Sequence, residues 1–236
     1  MPFHVKAEPD QVASFVILVG DPARATYIAR RYLAQARRYN ENRKLLGYTG
    51  EFAGQKVSVQ TTGMGEASAA IVIQELLELG VKRLVRIGTC GALQEEVKSG
   101  DLILARAAAT LDLTVNRLAG GLYLAPLADY ELITELNRQA VKQGLELHLG
   151  QVATVGFFHG TTMEQNRLLA ENGVLAREME TAILYILAAR AGVSAASLLI
   201  AGGHVFKRER AEQCQIRKGV DRAVKLCLQA NSKGAG

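Results

Sequence analysis

At 236 residues, 49% of them hydrophobic, the chain can bury one good-sized α/β core, and residues 1–236 read as a single domain. No apolar run reaches the ~18 residues that span a bilayer, and the start MPFHVKAEPD lacks the pattern of a signal peptide. The net charge of +5 is mild and disfavours a nucleic-acid partner, because Arg30, Arg31, Arg37 and Arg38 lie on amphipathic segments without interleaved aromatics. Cys90, Cys214 and Cys227 are odd in number, far apart and without metal or Cys-x-x-Cys spacing. A reduced, cytoplasmic protein with no metal site is expected.

In chain order, Phe15 to Val19 reads as a short buried strand running into Gly20-Asp21-Pro22-Ala23-Arg24. Pro22 fits the first turn of a helix and Asp21 can cap it. A glycine before a helix N-terminus and an arginine in its first turn suit an anion, although a plain strand-to-helix turn has the same look. Asn42 to Thr62 reads as a hairpin turning at Ala53-Gly54, which makes the sheet mixed. Val57 to Leu93 then carries a strand, the turn Gly63-Met64-Gly65, a helix from Ala67 to Leu79, and a strand stopping at Gly88-Thr89-Cys90-Gly91. This is the pattern of a right-handed crossover between parallel strands, with its turns at the carboxyl edge where open sheets bind ligands. Arg86 sits amid the apolar residues of that second strand. A buried arginine requires an anion, from a carboxylate or from a ligand.

Further along, Asp101 to Ala107 is an apolar strand, 112–128 is irregular, Asp129 to Gln143 helical and Leu147 to Phe157 extended. Helices follow over Thr161 to Asn172 and Glu178 to Arg190, then a strand over Ala196 to Ala201 that ends at Gly202-Gly203-His204. A last helix covers Arg217 to Ala230, and Ser232 to Gly236 has the composition of a frayed end.

Among chemistries, Gly63-x-Gly65-x-x-Ser68 is a weak dinucleotide fingerprint, and the acidic residue wanted about 20 positions on is absent, which disfavours a dehydrogenase. No phosphate-binding Gly-x-x-x-x-Gly-Lys-Ser/Thr loop occurs either. Gly20 with Arg24, Arg86 with Thr89, and the basic segment around Arg43 suit the tetrahedral face of an oxyanion. Against them stands Glu178-Met179-Glu180. Its carboxylates suit either a helix first turn or the vicinal hydroxyls of a sugar, whose apolar surface Met64 and Met179 would cover. Phe157 reads either as core filler or as a platform for a flat ring.

Five motifs in order, GDPARA, NENRKLLGYTG, TTGMGEASAAI, VRIGTCGAL and EMETA, together resemble the bacterial hexameric purine nucleoside phosphorylases of the purine nucleoside and uridine phosphorylase family. The resemblance covers nearly the whole chain, from His4 to the final helix. It implies an α/β fold of three αβα layers with a mixed, twisted central sheet. It also implies a homohexamer, a trimer of dimers in which each subunit lends residues to its neighbour. The substrates implied are a nucleoside and inorganic phosphate, with no cofactor. By motif, Gly20, Arg24, Arg86 and Thr89 would bind phosphate, with Arg43 from the adjacent subunit. His4, also from the neighbour, would meet the ribose, together with Met64, Glu178, Met179 and Glu180. Cys90, Gly91, Phe157, Arg177, Gly202 and His204 would surround the base. Arg86, Glu180 and Arg217 would act in catalysis, with Gly203 at the position of the base-protonating acid.

The base end departs from that pattern. Purine-cleaving members carry Asp, or in some Asn, where this chain has Gly203, so the acid that would protonate the base is missing. The arginine that accompanies it falls on Ile216, with Arg217 next to it, and Arg177 stands where an apolar residue is usual. The insertion with which uridine phosphorylases read uracil is absent as well. A phosphorylase, most readily for a purine, is the first expectation. The alternatives are a hydrolytic nucleosidase, a uridine phosphorylase-like enzyme and a non-catalytic nucleoside or phosphate binder.

Overall fold

The computed structural model describes residues 2–111, 113–207 and 209–233. The chain runs β1 (Phe15–Val19), α1 (Pro22–Tyr32), β2 (Ala34–Asn40), β3 (Gly47–Phe52), β4 (Gln55–Thr61), α2 (Glu66–Glu78), β5 (Arg83–Ala92), β6 (Leu102–Thr110) and α3 (Thr114–Leu118). It continues as α4 (Tyr130–Lys142), β7 (Leu147–Thr154), α5 (Met163–Glu171), β8 (Ala176–Glu178), α6 (Thr181–Ala191), β9 (Ser194–His204), β10 (Glu209–Arg210) and α7 (Gln213–Lys233). No helix among the described residues is long and apolar enough to cross a membrane.

Why β1 is a continuous apolar run is plain from its two faces. Val16 and Leu18 pack with Ile73 and Leu76 of α2 and Leu184 of α6. Ile17 and Val19 pack on the other side with Ile28 of α1, Leu136 of α4 and Val224 of α7. A strand covered on both faces has no polar side to show. Helices therefore lie on both sides of one mixed sheet, in three layers. Each fully buried Leu or Ile in these layers stabilises the fold by roughly 1.5–3 kcal/mol.

The strand order is β10-β9-β6-β7-β8-β5-β1-β4-β3-β2, with β9 also paired to β5. Strands β5, β9, β6, β7 and β8 thus close a ring, from which β1, β4, β3 and β2 extend. One edge of β5 pairs with β9 along its length, from Arg83↔Ser194 to Ala92↔His204. Its other edge changes partner. β1 holds it as far as Leu18↔Arg86, whereas β8 takes over only at Gly91↔Arg177. Between Arg86 and Gly91 the sheet splits. That split is where an α/β sheet opens a crevice for a ligand.

The crossover expected from β4 to β5 does join parallel strands, with β1 lying parallel between them. Several sequence expectations change. β5 does not stop at Gly88-Thr89-Cys90-Gly91 but continues to Ala92, because β9 and then β8 go on pairing with it. The edge strand β2, which pairs with β3, was not expected. A short helix, α3, occupies part of the irregular 112–128 stretch, of which Asp112 lies outside the described residues. The helix expected from Glu178 begins at Thr181, because Ala176–Glu178 is a strand. β9 runs on through Gly202-Gly203-His204 and is met there by β10. α7 starts at Gln213 and includes Ser232 and Lys233; residues 234–236 of the expected frayed tail lie outside the described residues.

Candidate active site

The crevice is built from turns that only glycine allows. A Cβ on Gly20 would lie 3.1 Å from the Gly63 carbonyl oxygen, so the β1–α1 and β4–α2 turns are in close contact. Gly63 (φ 71°) and Gly65 (φ 86°) are left-handed, a conformation that strains other residues. Ser68 Oγ donates to the Thr62 carbonyl at 2.6 Å and fixes the turn between them. The Gly65 N–H, at the start of α2, donates to Glu180 Oε1 at 2.5 Å. Across the same turn, a Cβ on Gly65 would sit 3.8 Å from Met179 Cε, while Met64 between the two glycines is 81% exposed.

Two guanidiniums meet here. Asp21 caps α1 by accepting from Ala23 N–H at 2.8 Å, and Arg24 in the first turn donates to the Ile87 carbonyl at 3.1 Å. Burial lowers the Arg24 guanidinium from its ordinary value; Asp21 opposes this, and the neighbouring charge of Arg86 adds to it. Arg86 is 6% exposed. Burial works against its charge too, but Glu180 and then Glu178 outweigh burial and hold it above its ordinary value. Its Nη2 donates to Glu180 Oε2 and lies 3.3 Å from Glu178 Oε2. The lone charge in the strand therefore has its carboxylates. Its Nη1 is buried with no hydrogen-bond partner among the described residues, so one donor remains for an acceptor from outside the chain.

The two glutamates differ in what they have left to give. Glu178 accepts from Thr181 N–H at 3.0 and 2.9 Å, from Glu180 N–H at 2.8 Å and from the Thr154 hydroxyl. Both its oxygens accept from the first N–H of α6, at Thr181, while the Thr154 hydroxyl accepts from the next, Ala182 N–H, at 2.9 Å. Among the described residues, the Glu180 carboxylate, 5% exposed, is held only by the Gly65 N–H and Arg86. Of the pair, Glu180 is the one free to exchange partners.

At the other end the polar groups thin out. Gly202 faces Cys90 O, Thr89 Cβ and Ile216 Cδ1 at 3.4–3.9 Å from its would-be Cβ. The expected catalytic Arg217 turns away, its guanidinium 5.1 Å from the Tyr27 ring on α1. Ile216, one residue earlier, takes the inward position of α7. A Cβ on Gly203 (φ 148°) would lie 2.1 Å from the Glu209 carbonyl oxygen, so β10 fills the place of an acid side chain. Cys90 is buried, which pushes its thiol up to about 12. His204 is buried with both ring nitrogens unpartnered among the described residues. Phe157 is 75% exposed. Arg177 is half-buried across from Gly91, and its Nη1 donates to Thr161 Oγ1 at 2.8 Å.

A family model described as the phosphorylase superfamily matches residues 14–229. The chain belongs to the phosphorylase superfamily. It is 40% identical over 232 residues to "Purine nucleoside phosphorylase DeoD-type" of Bacillus cytotoxicus (strain DSM 22905 / CIP 110041 / 391-98 / NVH 391-98), covering 98% of each chain. The same identity and coverage hold for proteins of that name from Bacillus cereus (strain ZK / E33L) and Bacillus thuringiensis (strain Al Hakam).

In this superfamily member two expected residues stand apart from the crevice. Arg43 is exposed and left-handed (φ 52°, ψ 25°), followed by the left-handed Lys44, and it forms no ion pair with the glutamates. His4 is tied elsewhere: its ring Nδ1 lies 2.8 Å from Glu75 Oε1. Glu75 also accepts from the His4 N–H at 2.8 Å and the Val5 N–H at 2.6 Å. Sequence reasoning missed Glu75, and equally Thr154, which braces Glu178. A carboxylate amid the apolar stripe of α2 was the available signal for the first; nothing in the sequence marked the second. Thr89 is exposed near the end of β5. Among the described residues no three His, Cys, Asp or Glu side chains gather as a metal site.

Proposed function

We propose that the protein is a purine nucleoside phosphorylase, in which inorganic phosphate displaces the base to give free base and ribose 1-phosphate. The observation that carries this reading is the meeting of Arg24 and Arg86 at the split in the sheet, with Glu180 beside them. Two mutually repelling cations and an open Nη1 suit a phosphate, with the Thr89 hydroxyl and the Gly20 turn alongside. The full-length similarity to DeoD-type purine nucleoside phosphorylases supports the same conclusion.

The chemistry follows from these charges. A phosphate oxygen attacks C1′ as the C1′–N9 bond breaks, and the electron pair of that bond leaves with the base. The ribose becomes cationic on the way, as in glycoside hydrolysis. Phosphate supplies both nucleophile and counter-charge, and Arg24 and Arg86 orient it. Glu180 accepts hydrogen bonds from the ribose hydroxyls, which strengthen as the sugar gains charge. Met64 and Met179 cover the apolar sugar face. No metal or organic cofactor enters this scheme. A nucleosidase would not use the arginine pair. The test is a nucleoside panel with and without phosphate, read as free base and ribose 1-phosphate. Base release that needs no phosphate would overturn the proposal.

The catalytic unit we propose is an oligomer, a hexamer built as a trimer of dimers. Leu122, Tyr123, Leu124, Leu127 and Tyr130 are exposed large apolar side chains along one segment of the chain, and clustered exposed apolar residues mark interaction surfaces. Arg43 and His4 lie outside this chain's own crevice, in keeping with service to a neighbour's. Light scattering on active protein should give a multiple of the chain mass; the mass of one chain would refute shared sites.

A further inference from the structure

We propose that Arg177 reads the leaving base, its guanidinium forking onto N7 and the 6-oxo oxygen of a 6-oxopurine. This deepens the phosphorylase reading and rests on it. The residues that ring the base end offer little else: Gly202 and Gly203 have no side chains, Ile216 is apolar, and Arg217 is stacked on Tyr27. His204 has both ring nitrogens sealed from solvent. Arg177 is different. It sits on β8 opposite Gly91, the first residue past the split, with its Cγ and Nε each 3.9 Å from where a Gly91 Cβ would be.

The guanidinium has no counter-charge among the described residues. No carboxylate lies within ion-pair distance among the described residues, and burial alone lowers it from its ordinary value. Its Nη1 reaches Thr161 Oγ1 at 2.8 Å and, weakly, the Phe158 carbonyl at 3.5 Å, while its Cζ lies 6.0 Å from the Phe158 ring. Thr161 and Phe158 thus fix the plane of the fork and leave Nε and Nη2 without partners among the described residues. A partly desolvated cation so held asks for paired acceptors.

The two common purine classes differ at the edge such a fork would meet. A 6-oxopurine presents two acceptors, N7 and O6, which match an arginine bidentately. A 6-aminopurine presents N7 and an amino donor, which opposes a second N–H. During phosphorolysis the electron pair of the C1′–N9 bond leaves with the base. Its negative charge spreads towards N7 and O6, where a fixed cation stabilises it before water supplies the proton. Arg177 then meets from the β8 side the demand that a side chain at Gly203 cannot meet.

The test compares wild type, Arg177→Val and Arg177→Lys in single-turnover phosphorolysis of inosine, adenosine and 7-methylinosine. Alongside, calorimetric titration with hypoxanthine and adenine reads base binding without turnover. Wild type should favour inosine, and Arg177→Val should lose about 10- to 100-fold on inosine and far less on adenosine or 7-methylinosine. Arg177→Lys should recover part of the rate without the preference, because an ammonium cannot fork. Melting temperatures near wild type in both variants establish that they fold. If Arg177 only pins the Phe158–Thr161 loop, all three nucleosides will fall together, and the proposal is wrong. An unchanged inosine-to-adenosine ratio in Arg177→Val also overturns it. Arg177-dependent preference for hypoxanthine without phosphorolysis of any nucleoside would sink the phosphorylase reading and leave the base site standing.

Discussion

The two ends of the crevice are built on opposite terms. At the proposed phosphate and ribose end, charges are buried, paired and braced: Arg86 between Glu180 and Glu178, Glu178 saturated by α6 and Thr154, Gly65 donating to Glu180. At the base end stand two glycines, an isoleucine, a sealed histidine and one arginine with donors to spare. The first end is a network in which each member satisfies another, so no single substitution is tolerated cheaply. The second is assembled from residues that do not depend on one another. A fold can change its base under those conditions and keep its reaction centre.

The sharpest way to break that contrast is Arg86→Ala. It should lower phosphorolysis by at least about 10²–10³. It also leaves two buried carboxylates without their cation, a loss on the order of 3–5 kcal/mol when one partner of a buried pair is removed. Phosphate saturation curves and thermal melts read the two effects separately. Wild-type phosphate saturation in a folded variant would make Arg86 structural alone.

At the base end the expected effects concern stability before rate. Gly203→Asp should not restore an acid: its Cβ meets the Glu209 carbonyl oxygen at 2.1 Å and its φ of 148° suits glycine. A cost of about 1–3 kcal/mol is expected for such strain, read as a fall in melting temperature and a displaced β10. Gly202→Ser, whose nearest contact is 3.4 Å, should melt within a degree or two of wild type. An intact, faster Gly203→Asp enzyme would show that β10 yields more readily than its pairing suggests.

The smallest effect is expected at Glu75. Glu75→Gln keeps the shape of the His4 anchor but removes its charge, and should raise the KM for nucleoside a few-fold, about 1 kcal/mol, with phosphate KM unmoved. Burial alone would raise the Glu75 carboxyl, but N–H groups of Val5 and His4 and the His4 ring hold it below the ordinary 4.5. A carboxyl depressed by folding contributes stability that is complete above 4.5 and is lost as pH falls through its lower folded value. The N-terminal segment should therefore loosen below that range in wild type and show no such step in Glu75→Gln, by hydrogen exchange of residues 4–7.

Much of the layered fold was legible because local pattern and tertiary burial agree there. Phe15–Val19 is apolar throughout since both faces are covered, and Ala53-Gly54 turns the β3–β4 hairpin through two left-handed residues. β2, AQARRYN, escaped because an edge strand facing solvent carries charges and no clean alternation. β8 escaped because three residues leave no period to read, and its Glu178 looks like a helix residue when it is the cap of the next one. The question posed by Arg86 was legible; that its answer includes a carboxylate from 94 residues away was not. Which of Ile216 and Arg217 faces inward depends on the phase of α7 against β9, a matter of packing.

The contact between Arg86 and Glu180 has a thermodynamic consequence. On the proposed roles, phosphate and the Glu180 carboxylate share the charge of one guanidinium, while ribose hydroxyls and that guanidinium share one carboxylate. If the proposed roles hold, phosphate on Arg86 frees Glu180 for the ribose and ribose on Glu180 frees Arg86 for phosphate, a positive linkage between the two ligands that needs no moving domain. The factor must be the same from either side, and couplings of this kind run between about 5- and 150-fold. Sulfate, a tetrahedral anion that cannot complete the reaction, should tighten nucleoside binding by the factor with which nucleoside tightens sulfate. In Glu180→Gln, where the neutral amide no longer contests the arginine, the two dissociation constants should become independent.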